Sequence, residues 1–154
     1  MYSKEEAKKL KEQFWTSFGR FMSLVPNEDG LKINWVNYKT GIKHLYFRME
    51  ADHKTAKIYV AISHPDEGIR ELMFTQFKEY KNVLHAELGE EWIWSENHYD
   101  EYGKNTTRIG IELDKNVSVF KAEDWPTLIN FFKPRIIALD QFWSNAKYGF
   151  ELFK

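Results

Sequence analysis

The 154-residue chain has no cysteine. That absence removes cysteine nucleophiles, thiolate zinc sites, iron–sulfur clusters and disulfide frameworks, and it gives no support to an oxidising compartment. Glycine is sparse, and its eight residues are scattered, so the phosphate-cradling loop and the dinucleotide fingerprint are both missing. The nucleophile elbow Gly-x-Ser-x-Gly and the metalloprotease pattern His-Glu-x-x-His are missing too. No apolar run approaches the ~20 residues of a membrane span, and the start Met1-Tyr2-Ser3-Lys4-Glu5-Glu6 is charged where a secretory leader would be apolar. A cytoplasmic location without a membrane partner is expected. An excess of one charge is also lacking: 22 basic residues against 23 acidic leave a net charge of −1. Nucleic acid would therefore have to be engaged through a local patch.

Aromatic residues are what the chain has in abundance. They make up 17% of it, 6 Trp, 8 Tyr and 12 Phe spread along its whole length, and rings of this size fill a core or line a groove. Because periodic apolar positions are usually core, an aromatic-rich core is the first expectation, and a groove for a base, sugar or partner helix is the second. A chain of this length buries roughly 68–70% of the surface its unfolded state exposes, so one globular domain over residues 1–154 is expected to fold without a metal or disulfide.

The periodicities give an order of elements. Ser3 and Glu6 have capping-box spacing, and Ala7, Leu10, Phe14, Phe18, Phe21, Met22 and Val25 recur at helical intervals up to Pro26. Lysines and glutamates interleave on the outer face of this helix, which marks a solvated surface. Residues 27–42 resist assignment. From Lys43 to Ile62 the period becomes two, predicting a hairpin that turns near Asp52-His53. Ser63, Pro65 and Asp66 signal a second helix that runs through Leu88 and stops at Gly89. Glu91 to Asn97 and Thr106 to Leu113 read as another strand pair, with Val117 to Phe120 as a short fifth strand. Asp124-Trp125-Pro126 opens the last helical region, which Pro134 must kink or split. The fold expected is α+β: an antiparallel sheet of four to five strands from two strand pairs, packed on one face by three long helices.

Chemistry is harder to find. The five histidines, His44, His53, His64, His85 and His98, include no pair four apart on one expected helix, and His64 before Pro65 fits helix-start chemistry. Asp52-His53-Lys54 has the acid-x-Lys form of a restriction-like metal nuclease, in which carboxylates such as Glu50 and Asp52 hold a divalent ion and Lys54 aids the attacking water. It falls in an expected turn, where a solvated Asp and Lys occur anyway. Alternation places Tyr46, Arg48, Glu50, Lys57 and Tyr59 on the polar side of the first hairpin, and Arg108 and Glu112 on that of the second. These seven are the candidate binding residues, weighed against plain cross-strand pairing of Arg48, Glu50 and Lys57. No catalytic set, cofactor or metal site is implied.

Asn34-Trp-Val-Asn-Tyr-Lys-Thr-Gly-Ile-Lys43, running into Leu45-Tyr-Phe-Arg-Met-Glu-Ala-Asp52 and Lys57-Ile-Tyr-Val-Ala-Ile62, resembles an uncharacterised bacterial family, the domain of unknown function 4268. The likeness extends from Phe14-Trp15 through Thr107-Arg-Ile-Gly-Ile-Glu-Leu113 to Trp125-Pro126. The resemblance implies a protein that stands alone at about this size, or a C-terminal domain following a restriction-like nuclease domain, and it carries no catalytic residues. Three functions follow in order: a non-enzymatic binding or protein-interaction module, with another protein or a second copy of itself as the partner; a nucleic-acid-binding accessory domain of a restriction-like nuclease or defence system; and a metal-dependent hydrolase or nuclease.

Overall fold

The computed structural model describes residues 2–154. Its framework is a four-stranded antiparallel sheet in the order β1-β2-β4-β3, where β1 is Leu45–Ala51, β2 Ala56–Ile62, β3 Ile93–Tyr99 and β4 Asn105–Glu112. β2 and β4, the inner strands, join the two hairpins by pairing Ile58 with Ile111 and Val60 with Ile109. Helix α1 (Lys4–Met22) starts where Ser3 Oγ accepts the Glu6 N–H at 3.1 Å. Its buried face, Phe14, Phe18 and Met22, meets α4 (Trp125–Ala146) through Phe132. The α+β architecture with an antiparallel sheet covered on one face is as expected.

Two elements differ from the periodicity reading, and at Pro134 one of its two alternatives is removed. The second helix is two, α2 (Glu67–Glu79) and α3 (Lys81–Leu88), broken at Tyr80, whose backbone is non-helical. Tyr80 packs against Phe142 and Phe150, a tertiary contact that the apolar spacing could not report. Val117 to Phe120 is not a fifth strand. It lies over the β1–β2 turn with two backbone bonds, Val117 N–H to Lys54 O and Val119 N–H to Asp52 O, and buries Val117 and Val119 without forming a ladder. Pro134 does not split the last helix, which continues from Trp125 to Ala146. Pro134 and Asn130, whose carbonyl loses its usual helical partner, are both exposed, so water can satisfy that oxygen. In the same turn the Arg135 guanidinium bonds Phe131 O at 3.0 Å. A 3-10 segment, Lys147–Phe153, follows α4 and buries Phe150.

The aromatic residues do fill the core. Phe77, Phe142, Trp143 and Phe150 form one continuous group of rings, and Phe14, Phe18 and Phe132 another. Indoles taken into the core need acceptors, and three of them find carbonyls of irregular chain: Trp35 Nε1 bonds Val25 O at 2.9 Å, Trp143 Nε1 bonds Thr40 O at 2.8 Å, and Trp125 Nε1 bonds Val119 O at 2.7 Å. Residues 27–42, which carry no periodicity, are held this way and by Asp140. That buried carboxylate on α4 accepts the Glu28 N–H at 2.7 Å and the Tyr38 hydroxyl at 2.5 Å. Burial and then Asp140 push the Tyr38 pKa far above its ordinary value, so the hydroxyl stays protonated as the donor.

Glu90, just after α3, takes a bidentate bond from Arg135 on α4, with Nε to Oε1 at 2.7 Å and Nη2 to Oε2 at 3.0 Å. The Trp92 indole adds a third bond at 3.0 Å. Burial alone would raise the Glu90 pKa; the Arg135 guanidinium and the Trp92 N–H outweigh it and hold the carboxyl below its usual value. A carboxyl lowered in the folded state stabilises above the unfolded pKa and loses that contribution as pH falls through the folded value. Glu90→Gln is therefore expected to cost about 1.5–3 kcal/mol at neutral pH, with urea midpoints of variant and parent converging below about pH 4. Asp140→Ala, which orphans the Tyr38 hydroxyl and the Glu28 N–H, is expected to cost about 2–4 kcal/mol in the same assay, and Tyr38→Phe less.

Candidate functional site

The helices pack on the sheet face that carries Leu45, Phe47, Ile58, Val60, Ile62 and Ile109, all in the core cluster. The opposite face has no helical layer. Strand register arranges it in rows: Glu50, Lys57 and Glu112 lie side by side across β1, β2 and β4, and Arg48, Tyr59, Gly110 and Ile93 make the next row across all four strands. Tyr46, Ala61, Arg108 and Ser95 make the third. All seven residues singled out from the sequence thus occupy one surface, because β2 and β4 pair directly and merge the polar sides of the two hairpins.

Side-chain contacts on this face are of two kinds. Lys57 Nζ lies 3.7 Å from Glu50 Oε2, the cross-strand pair that alternation anticipates. Arg48 is stacked over the Tyr46 ring instead of joining that pair, and Arg108 is stacked over Tyr59, each guanidinium carbon 4.2 Å from the ring centre. Although it belongs to the polar side, Tyr59 is only 7% exposed. Burial, followed by the nearby Glu50 carboxylate, pushes its hydroxyl up to about 12, so at neutral pH it is a neutral donor.

Gly110 lets β4 approach Tyr59 closely. A Cβ at residue 110 would come within 2.4 Å of the Tyr59 Cβ and 2.7 Å of Ile58 O, so the strand backbone itself must be bare there. The resulting groove, about 270 Å³, is lined by Tyr59, Ile93, Ser95, His98 and Arg108 among others. Arg108 Nε is buried without a hydrogen-bond partner, unlike any other buried side-chain nitrogen or oxygen among the described residues. Such an orphan is costly.

Ile93, Ser95, His98 and Gly110 were not singled out in the sequence. His98 was hidden because the pairing of β3 with β4 shifts between Ser95 and His98, which breaks the alternation count. Gly110 had a signal, a lone glycine inside an alternating strand. Burial, then Arg108 and Lys57, lower the His98 pKa, so the ring adds no cation to the face at neutral pH. Three cations, Arg48, Lys57 and Arg108, therefore share the surface with two carboxylates, Glu50 and Glu112.

The acid-x-Lys triplet does not assemble. Glu50 and Asp52 share the rim of a separate cavity with Lys11 and Lys57, each carboxylate has a lysine beside it, and Lys54 is not in that lining. Burial would raise the Asp52 pKa, but Lys11 at 3.5 Å and the His53 N–H lower it. Among the described residues no three His, Asp or Glu side chains gather as a metal set. The other histidines are placed by local bonding: His85 Nε2 accepts the Trp92 N–H and the Trp94 indole, and His64 Nδ1 accepts the Asp66 N–H at the start of α2, as its position before Pro65 suggested. Among the described residues no helix is long and apolar enough to cross a membrane.

Gly110→Ala tests the construction of the groove. The added methyl group meets backbone, so the variant is expected to lose about 1–3 kcal/mol, read as a fall in Tm of about 2–4 °C per kcal/mol; an unchanged Tm would mean that β2 and β4 are not packed as described. No curated protein and no solved structure matches the chain. The model of a family described as a domain of unknown function, DUF4268, matches residues 10–147. With nine-tenths of its length covered by that match, the chain belongs to the DUF4268 family.

Proposed function

We propose that this chain is a non-enzymatic protein-binding module and that the helix-free sheet face is its contact surface. The observation that carries the reading is the stacked Arg48–Tyr46 and Arg108–Tyr59 pairs around the groove over Gly110. Arginine and tyrosine are the residues on which protein interfaces concentrate their binding energy. The Arg108 Nε supports it further: a carboxylate or carbonyl brought by a partner can draw the guanidinium over and remove the cost of the orphaned donor.

The charge on the face favours a protein over a polyanion. Phosphate-tracking surfaces collect cations, whereas here Glu50 and Glu112 flank Lys57 in one row. Single-strand binders also stack bases on open rings, and Tyr59 is covered by Arg108, leaving Tyr46 as the one partly open tyrosine of the pair. A mixed-charge face also suits a second copy of this chain, since an isologous contact can set the cations of one copy against the carboxylates of the other.

A photo-crosslinking residue placed at Arg48 on the face, and as a control at the exposed Lys8 on α1, tests the reading in cells that express the full chain. A discrete protein adduct, self-adduct included, is expected from residue 48 and not from residue 8. Equal adducts from both positions would overturn the proposal. So would salt-sensitive binding of single-stranded DNA or RNA that Arg48→Glu abolishes, which would move the chain to the nucleic-acid accessory reading.

A further inference from the structure

A cavity larger than the groove on the sheet face lies elsewhere. It measures about 730 Å³ and lies between α2, the 3-10 segment after α4 and the start of β1, inside the range of roughly 300–1,000 Å³ typical of small-molecule sites. Its lining divides by chemistry. Ile69, Leu72 and Met73 from α2, with Leu152 and Phe153 from the 3-10 segment, make an apolar trough. Lys43, His44, His64 and Lys154 supply the titratable side chains of the lining, Lys154 being paired with Glu151 at 3.5 Å, and no aspartate or glutamate side chain is among them. In a chain with slightly more acidic than basic residues, a wall of this kind is a local departure.

The two histidines are held in place by contacts of their own. His64 Nδ1 accepts the Asp66 N–H at 3.0 Å, which leaves its proton on Nε2 as the donor of the ring. Its carbonyl takes the buried Arg70 guanidinium at 2.7 Å, fixing the His64-Pro65-Asp66 turn from beneath. His44 adopts a left-handed backbone (φ 66°), the one non-glycine residue to do so among those described. Its carbonyl is pinned by the Ser63 N–H at 2.9 Å, and its ring stands edge-on to His64 with centres 4.8 Å apart. Backbone held in a sparsely populated region is a pointer towards function. Leu72 is 61% exposed and Leu152 95%, so two large aliphatic side chains of the trough are left to water.

We propose that this cavity binds a small amphipathic carboxylate, its alkyl chain along Ile69, Leu72, Met73 and Phe153 and its anionic head at His64, His44 and Lys43. The head group receives the His64 Nε2–H and the Lys43 ammonium, with no aspartate or glutamate side chain in the lining to repel it. The alkyl chain covers Leu72, which water now wets, and this supplies the apolar part of the affinity. The site is separate from the sheet face and does not depend on how that face is used.

The test is calorimetric titration of the full chain with octanoate, 1-octanol and acetate. Octanoate is expected to bind saturably at one site, 1-octanol about tenfold more weakly or worse because it lacks the charge-assisted bonds, and acetate not at the same concentrations. Lys43→Glu and Leu72→Glu change exposed residues, leave the core intact and place a carboxylate at the head or tail end of the trough; each is expected to weaken octanoate by about tenfold or more with an unchanged circular dichroism spectrum. Equal affinity for octanoate and 1-octanol would overturn the assignment of the head group. No saturable binding, or binding indifferent to both substitutions, would overturn the site.

Discussion

Every large feature of this protein follows from covering one side of a twisted antiparallel sheet with aromatic side chains that carry polar atoms. Phenylalanine rings can be buried without further condition, but each tryptophan taken into the core brings an N–H that has to be paired. The chain pairs three of these donors with carbonyls of segments that have no secondary structure of their own, at Val25, Thr40 and Val119. The aromatic core is thereby also the fastening of the irregular chain. Asp140 extends the arrangement by holding the Glu28 amide and the Tyr38 hydroxyl from inside α4.

One-sided burial has a second consequence. A sheet with all its helices on one face must expose the other, and the alternation that makes Phe47, Ile58 and Ile109 core also makes Arg48, Tyr59 and Arg108 surface neighbours. The face is more than a solvated back. Gly110 lets β4 approach Tyr59 more closely than any side chain there would allow, and the guanidinium stacked on the tyrosine ring leaves one donor unspent. The distinction matters for the proposed contact, because ordinary exposed ion pairs contribute little, whereas a desolvated arginine on an aromatic ring is the kind of group on which recognition rests.

The second candidate site arises at the other limit of the same design. Where α2, the 3-10 segment and the start of β1 converge, the aromatic packing stops at Phe150 and Phe153, and aliphatic groups meet a cationic rim. The break at Tyr80 belongs to this region: its ring packs on Phe150, and its hydroxyl stands so close to Gly149 that a side chain there would collide with it.

By itself the sequence determined what depends on spacing alone. Ser3 and Glu6 start α1, period-two runs make two hairpins, and the polar sides of those hairpins contain Tyr46, Arg48, Glu50, Lys57, Tyr59, Arg108 and Glu112. These are local properties, because the direction of a side chain from a helix or strand is set by the backbone within a few residues. Tertiary structure decided what depends on partners distant in sequence. The pairing of β2 with β4 merged the two polar sides, the shift between Ser95 and His98 added a histidine that alternation had missed, and Tyr80 was pulled out of its helix by rings some sixty to seventy residues later in the chain. The meeting of His44 with His64 lies between the two cases: a hairpin from Lys43 to Ile62 already brings its ends together, and the tertiary structure decided that one ring stands edge-on to the other.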